Sequence, residues 1–313
     1  MKEFDFNKET GTIIRCHSND TDIIIPSEID GVSVTTIGDF AFYGCDSLES
    51  VVIPNSVTSI GGSAFAHQYS LKNVMISNSV TKIGRYAFHF CESLKSITIP
   101  DSVTEIDNCA FADCMNLENV TMSNNLTIIE ESTFNFCISL KNIVIPNSVT
   151  AIGENAFCDC RGLKDITISD SVTTIGKSAF CNCRSLKSIT IPKSVTSIEL
   201  STFNGCKSLE NVSIPNGVIS IGSKAFWGCK SLKSITIPKS VTTIGDYAFK
   251  GCRSLAHISV SDSDIDIGVC VFDGCKSLKN VIINTDNITA IGKQAVSLCK
   301  SLQNINDDRE SIK

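Results

Sequence analysis

The sequence predicts a solenoid: about 12 short coils stacked along one axis, built from short parallel strands with little helix. Three observations predict it. A leucine recurs every 23 residues from Leu48 to Leu278, and Leu302 follows one residue late. A phenylalanine recurs with the same step from Phe42 to Phe272. All seven prolines (Pro26, Pro54, Pro100, Pro146, Pro192, Pro215 and Pro238) fall at one place in the repeat. A fixed period of this length marks supersecondary units that bury their apolar faces only by stacking.

The coil from Leu232 to Cys252 illustrates the elements. Ile235-Thr-Ile237 alternates apolar with polar residues and reads as a short strand. Pro238 ends it, because proline cannot donate to a ladder. Val241 to Phe249 reads as a second extended piece, with Gly245 marking a bend or a close approach of neighbouring coils. Leu, Ile, Ile, Val, Ile, Ala and Phe face inward. No stretch shows a sustained 3.6-residue period. Residues 1–22 lack the repeat and predict a capping hairpin, residues 23–302 carry the coils, and the charged tail 303–313 predicts a second cap.

The pattern Leu-x-x-Ile-x-Ile-Pro-x-Ser-Val-Thr-x-Ile-Gly-x-x-Ala-Phe-x-x-Cys-x-Ser, repeated from about residue 23 to residue 302, resembles the BspA-like class of leucine-rich repeats. The resemblance implies a curved, right-handed solenoid. It also implies a cell-surface or secreted adhesin that binds host or matrix proteins. It brings no catalytic residue and no cofactor.

Eleven of the 16 cysteines share one repeat position, from Cys45 and Cys91 to Cys275 and Cys299, and Gln68 interrupts the series. The position predicts a buried ladder of reduced thiols. Stacked side chains point the same way, so their Cβ atoms sit about 4.8 Å apart, against ~3.8 Å in a disulfide. Cys16, Cys109, Cys158, Cys181 and Cys270 lie off the ladder. Cys158 and Cys181, with Cys160 and Cys183, make two C-x-C groups on adjacent coils; their spacing fits no zinc signature, and no metal is expected. Exposed thiols at Cys158 and Cys181 are the simpler reading.

The net charge of −6 conceals an asymmetry. Residues 1–160 carry 8 Lys/Arg and 20 Asp/Glu, whereas residues 161–313 carry 19 and 13. The residue after the ladder cysteine is Arg161, Arg184, Lys207, Lys230, Arg253, Lys276 and Lys300. In a solenoid one repeat position becomes a surface stripe, and like charges about 5 Å apart repel unless a partner or nearby acids compensate. The same position in the N-terminal half holds Asp46, Tyr69, Glu92, Met115 and Ile138. Trp227, the single tryptophan, adjoins Lys230 in sequence; Phe90 and Phe136 fill a turn position that elsewhere is mostly Gly or Asp.

Catalytic signals are missing: the four histidines share no repeat position, and no phosphate loop or paired catalytic carboxylates can be picked out. The expected function is a non-enzymatic scaffold that binds a protein partner, acidic or on a host surface. Arg161, Arg184, Lys207, Trp227, Lys230, Arg253 and Lys276 are the candidate contacts. A polyanion binder using the same stripe is the third class, with nucleic acid the less favoured ligand. No apolar run approaches the ~18 residues of a membrane helix, so no membrane insertion is expected. The polar, acidic first ten residues do not read as a leader peptide, which predicts either a cytoplasmic chain or a mature or trimmed form, whereas the resemblance implies the cell surface or secretion.

Overall fold

The computed structural model describes residues 3–260, 265–283 and 304–306. Among them there is no helix; every regular element is a strand of two to five residues. The chain forms two compact stacks of coils, residues 1–163 and residues 164–313. The strand-built solenoid of leucine-rich-repeat type is thus as expected.

Each coil carries two strands. In the first stack the longer strands form parallel ladders: Asp22–Ile24 with Ser50–Val52 and Asn73–Met75, then Ser96–Thr98 with Asn119–Thr121. The shorter ones make a second face, Thr36–Ile37 beside Ser59–Ile60, Lys82–Ile83 and Glu105–Ile106. In the second stack, Ser188–Thr190 pairs with Asn211–Ser213. Ser234–Ile237 continues through His257–Val260 and Asn280–Ile283 to Asn304–Asn306. Its short strands run from Ser197–Ile198 to Asp266–Ile267. Registers step by 23 residues throughout this strand series until the last pair, Asn280 with Asn304, which carries the one-residue shift seen at Leu302.

The core follows from the repeat. Leu232, Ile235, Ile237, Val241, Ile244, Ala248 and Phe249 are all buried, as are their equivalents in most coils. The phenylalanines stack ring on ring, at 4.5–5.6 Å between centroids from Phe42 to Phe157 and 5.2–5.9 Å from Phe180 to Phe272. Near-parallel stacks at this spacing are held by ring contact with the coils above and below. At the N-terminal end the edge of Phe4 meets Phe42 at 6.4 Å.

Proline acts twice. It ends the longer strand, and its carbonyl accepts a hydrogen bond from the valine three residues on, for example Val241 N–H to Pro238 at 3.0 Å. This closes a tight turn into the next strand. Gly245 marks a close approach: a Cβ there would collide with the backbone nitrogen of Ser223 in the preceding coil.

Several features correct the sequence reading or go beyond it. The stretch to Phe249 is a strand only over Thr243–Ile244; from Asp246 onward it is turn. Each coil bends there through two left-handed residues. Ser63, Tyr86 and Cys109 represent the first position, and Gly44, His67, Phe90 and Asp113 the second, which is Gly at Gly205, Gly228, Gly251 and Gly274. Residues 4–16 form an antiparallel hairpin, Phe4–Asn7 with Thr12–Cys16, and its second strand joins the short-strand ladder in parallel through Ile13 and Ile37. A further antiparallel pair, Glu28–Ile29 with Val32–Ser33, turns at Gly31. Most of the tail 303–313, with Lys300, Leu302 and Cys299, lies outside the described residues.

Candidate binding surfaces

The cysteine ladder is structural. Cys91, Cys114, Cys137, Cys160, Cys206, Cys229, Cys252 and Cys275 are buried and unbridged. Each thiol donates to the carbonyl of the phenylalanine one coil back, at 3.1–3.3 Å, as Cys229 does to Phe203. That carbonyl also accepts the N–H of the cysteine in its own coil: Phe203 takes Cys206 N–H at 3.2 Å. Both lone pairs are therefore used inside the core. Burial pushes the thiols of Cys91, Cys137, Cys160, Cys206, Cys229 and Cys252 well above the ordinary thiol range. Protonated, buried thiols are poor nucleophiles. We expect the ladder cysteines to resist a thiol reagent in the native protein and to react fully in denaturant. A native protein with most ladder thiols already reactive, or already paired, would refute this arrangement.

Cys16, off the ladder in sequence, is buried, and its carbonyl takes the Cys45 thiol at 3.7 Å. The hairpin thus supplies the acceptor that a preceding coil would have given. Cys109, Cys158, Cys181 and Cys270 are half-buried. The Cys158 thiol lies 3.7 Å from the Asp159 carboxylate. Among the described residues, no group of three or more His, Cys, Asp or Glu side chains could hold a metal.

The basic stripe is laid out by backbone hydrogen bonds. Ser208, Ser231, Ser254 and Ser277 donate their N–H groups to the carbonyls of Arg184, Lys207, Lys230 and Arg253, at 3.1–3.2 Å. This fixes the stripe residues one coil apart. Lys207, Lys230, Arg253 and Lys276 are exposed, and among the described residues no carboxylate lies within 4.0 Å of them. The two arginines toward the N-terminus differ. Arg161 belongs to the first stack, where its Nε bonds the buried Asp159 carboxylate at 2.9 Å. Arg184 is half-sunk, with its Nε buried and unpartnered among the described residues. Lys233, beside the stripe, is neutralised by Glu210 at 2.6 Å.

Trp227 is 38% exposed. The cation over its ring is Lys224, at 5.4 Å, rather than its sequence neighbour Lys230. On the strand face of the same stack, Val212, Ile214, Ile235 and Thr236 line a cleft of about 480 Å³. There Asn211–Ser213 and Ser234–Ile237 belong to separate sheets.

The first stack holds a surface cluster that sequence reasoning missed. His67 and Phe90, successive left-handed residues (φ 62° and 59°), stack at 5.0 Å. His89 touches Phe90 and Tyr86 and lies 3.2 Å from the Asp113 carboxylate. Burial holds the His89 imidazole below its ordinary value, outweighing Asp113. Phe40, Tyr43 and Tyr69 are exposed nearby in sequence. The signal was present: Tyr69 breaks the stripe position and Gln68 breaks the ladder, in one coil.

A family model described as a BspA type leucine rich repeat region (6 copies) matches residues 16–140, 127–252 and 196–312. A leucine rich cell surface protein from Faecalibacterium prausnitzii is 32% identical over 95% of this chain and 95% of its own, with a TM-score of 0.58. A leucine-rich repeat protein from Bacteroides ovatus is 28% identical over 90% and 93%, with a TM-score of 0.52. The pneumococcal vaccine antigen PcpA shares the fold, at a TM-score of 0.60 and 21% identity over 93% and 85%. No curated protein matches the chain.

Proposed function

Because the chain belongs to the BspA-type leucine-rich repeat family, we propose that it is a non-enzymatic scaffold that binds a protein partner through the basic stripe and Trp227. One observation carries this reading. Lys207, Lys230, Arg253 and Lys276 occupy one position on four consecutive coils, exposed and without a carboxylate among the described residues. Like charges held about 4.8 Å apart by the backbone repel, and an acidic partner relieves that repulsion. Trp227 adds a large, part-exposed ring beside Lys224, the kind of group that anchors interfaces. Arg161 and Arg184 are lesser contacts in this reading, since Arg161 is paired internally and Arg184 is half-sunk. The Faecalibacterium relative, a cell surface protein, favours a second reading, an adhesin at the cell surface using the same stripe.

The test begins with a partner captured from the source organism or its host. Changing Lys207, Lys230, Arg253 and Lys276 together to Glu leaves folding nearly intact, because these four are exposed and exposed charges contribute little to stability. Association then slows by about tenfold or more at low salt, as loss of steering charge requires. Trp227→Ala instead speeds dissociation, by about thirtyfold for a hot spot of about 2 kcal/mol. If both variants bind like the parent, the stripe is only a solvated surface, and the strand-face cleft is the next place to look. A nucleic acid or sulfated glycan as partner would show affinity falling steeply with salt.

A further inference from the structure

The geometry points to a guanidinium-binding cleft in the first stack, formed by Tyr43, Asp46, Gln68 and Tyr69, that receives an arginine side chain of a protein partner. The cleft measures about 340 Å³, and Gly44, Ala66 and His67 complete its lining. The inference rests on the protein-binding reading for the source of the arginine, not for its chemistry.

Gln68 is the informative residue. It stands where the adjoining coils carry Cys45 and Cys91, and it is 1% exposed. Its Nε2 donates to the Phe42 carbonyl at 2.8 Å, replacing the thiol that would otherwise use that acceptor. Because that acceptor requires N–H, the amide cannot be turned round. Its Oε1 is left buried with no donor. Cysteine at this position would satisfy Phe42 and leave no orphan, so packing alone does not account for glutamine here. Gln68 is itself part of the cleft's lining, and an unsatisfied acceptor on a lining residue calls for a donor.

The rest of the lining narrows what that donor is. Asp46, exposed on the rim, has no cationic partner among the described residues, so an anion is repelled and a cation held. Tyr43 and Tyr69 are 55% and 51% exposed and offer two ring faces. Tyr69 is braced, with its hydroxyl 3.0 Å from His67 Nδ1 and its ring edge-on to His67 at 5.9 Å. His67 in turn stacks on Phe90. The ligand must supply N–H donors, positive charge and a flat face. Guanidinium has all three, an ammonium lacks the plane, and a sugar lacks the charge. Residues 1–163 carry 9 Lys/Arg and 20 Asp/Glu, a field that favours the same sign of ligand.

The test titrates N-acetyl-arginine amide into the full chain, with N-acetyl-citrulline amide as the uncharged isostere, followed by amide chemical shifts. Saturable shifts confined to the coils of Tyr43 and Tyr69 are expected for the arginine compound, with citrulline at least tenfold weaker. Gln68→Cys installs the repeat's own residue and should weaken binding at least fivefold. Asp46→Asn, on the exposed rim, should do the same without disturbing the core. Tyr69→Ala should abolish the shifts. Equal binding of citrulline, no arginine binding, or full affinity in both Gln68→Cys and Asp46→Asn would overturn the assignment. If Gln68→Cys melts differently from the parent, Asp46→Asn decides alone. The fourfold reversal on the basic stripe should leave arginine-amide affinity unchanged, so failure of the stripe and failure of the cleft read out separately.

Discussion

Phe180→Ala is expected to cost about 3–5 kcal/mol, the range for emptying a buried phenylalanine site. Phe180 is fully buried, and its ring stacks on Phe203 at 5.7 Å with only 3° between planes. The stack gives the site little room to collapse, because Phe203 is held from its other side by Phe226 at 5.3 Å. The loss should appear as a lower urea midpoint for residues 164–313, with residues 1–163 less affected, since each coil contacts only its neighbours. Phe180→Leu keeps most of the volume and should cost clearly less. A variant that unfolds like the parent would show that the phenylalanine series is not the core.

A second large effect is expected from pH. The thiols of Cys91, Cys137, Cys160, Cys206, Cys229 and Cys252 are held up by burial in the folded chain. In the unfolded chain they titrate near the ordinary value of about 8.5. The folded pKa is therefore the higher one. Below pH ~8 both states keep the proton and stability does not depend on these groups. Above it the unfolded chain loses protons that the folded chain retains, and stability falls by about 1.4 kcal/mol per pH unit for each thiol released. Two or three thiols unfolding together remove about 5–8 kcal/mol by pH ~10.5, comparable with the lower half of a typical stability of 5–15 kcal/mol. The urea midpoint should be level from pH 7 to 8 and then drop steeply. Cys229→Ser keeps a donor for Phe203 and does not titrate, so it should flatten the slope. A level midpoint to pH 10, or an unchanged slope in Cys229→Ser, would count against buried, hydrogen-bonded thiols.

The repeat pattern specifies the core of this fold and is silent on its turns and on most of its surface. Leu232, Ile235, Val241 and Phe249 announce their burial because position in the repeat and apolarity coincide. The cysteine ladder was legible for the same reason. The turns were not. Their two left-handed residues are glycine in only a few coils, and Ser63, Tyr86, His67 and Phe90 carry no glycine signature. The Val241–Phe249 stretch consequently read as extended. Likewise residues 12–16 have no leucine or phenylalanine in register, yet Ile13 pairs with Ile37, because a strand joins a ladder through its backbone. At the surface, the position of the stripe was legible but its neutralisation was not. The Arg161–Asp159 pair joins residues two apart, and Lys224, not Lys230, reaches Trp227; side-chain reach across a left-handed turn decides both. Gln68 was visible as an exception, but its unpaired oxygen became visible only once the Phe42 carbonyl was seen to claim the nitrogen.

Among the described residues of each stack, the ladder's thiol-to-carbonyl bonds run one way, from a later coil to the phenylalanine of an earlier one. This gives the stack a direction of growth. A chain assembled from its N-terminus ends, at every stage, in a carbonyl with one spare lone pair, the cheaper kind of defect. Each new coil arrives carrying the donor that fills it. The hairpin starts the series by offering the Cys16 carbonyl to Cys45 before any complete coil exists. Assembled from the other end, each stage would leave at its open edge a thiol whose acceptor had not yet been laid down. The order in which a ribosome releases the chain is thus the order in which its coils can close without leaving a donor stranded.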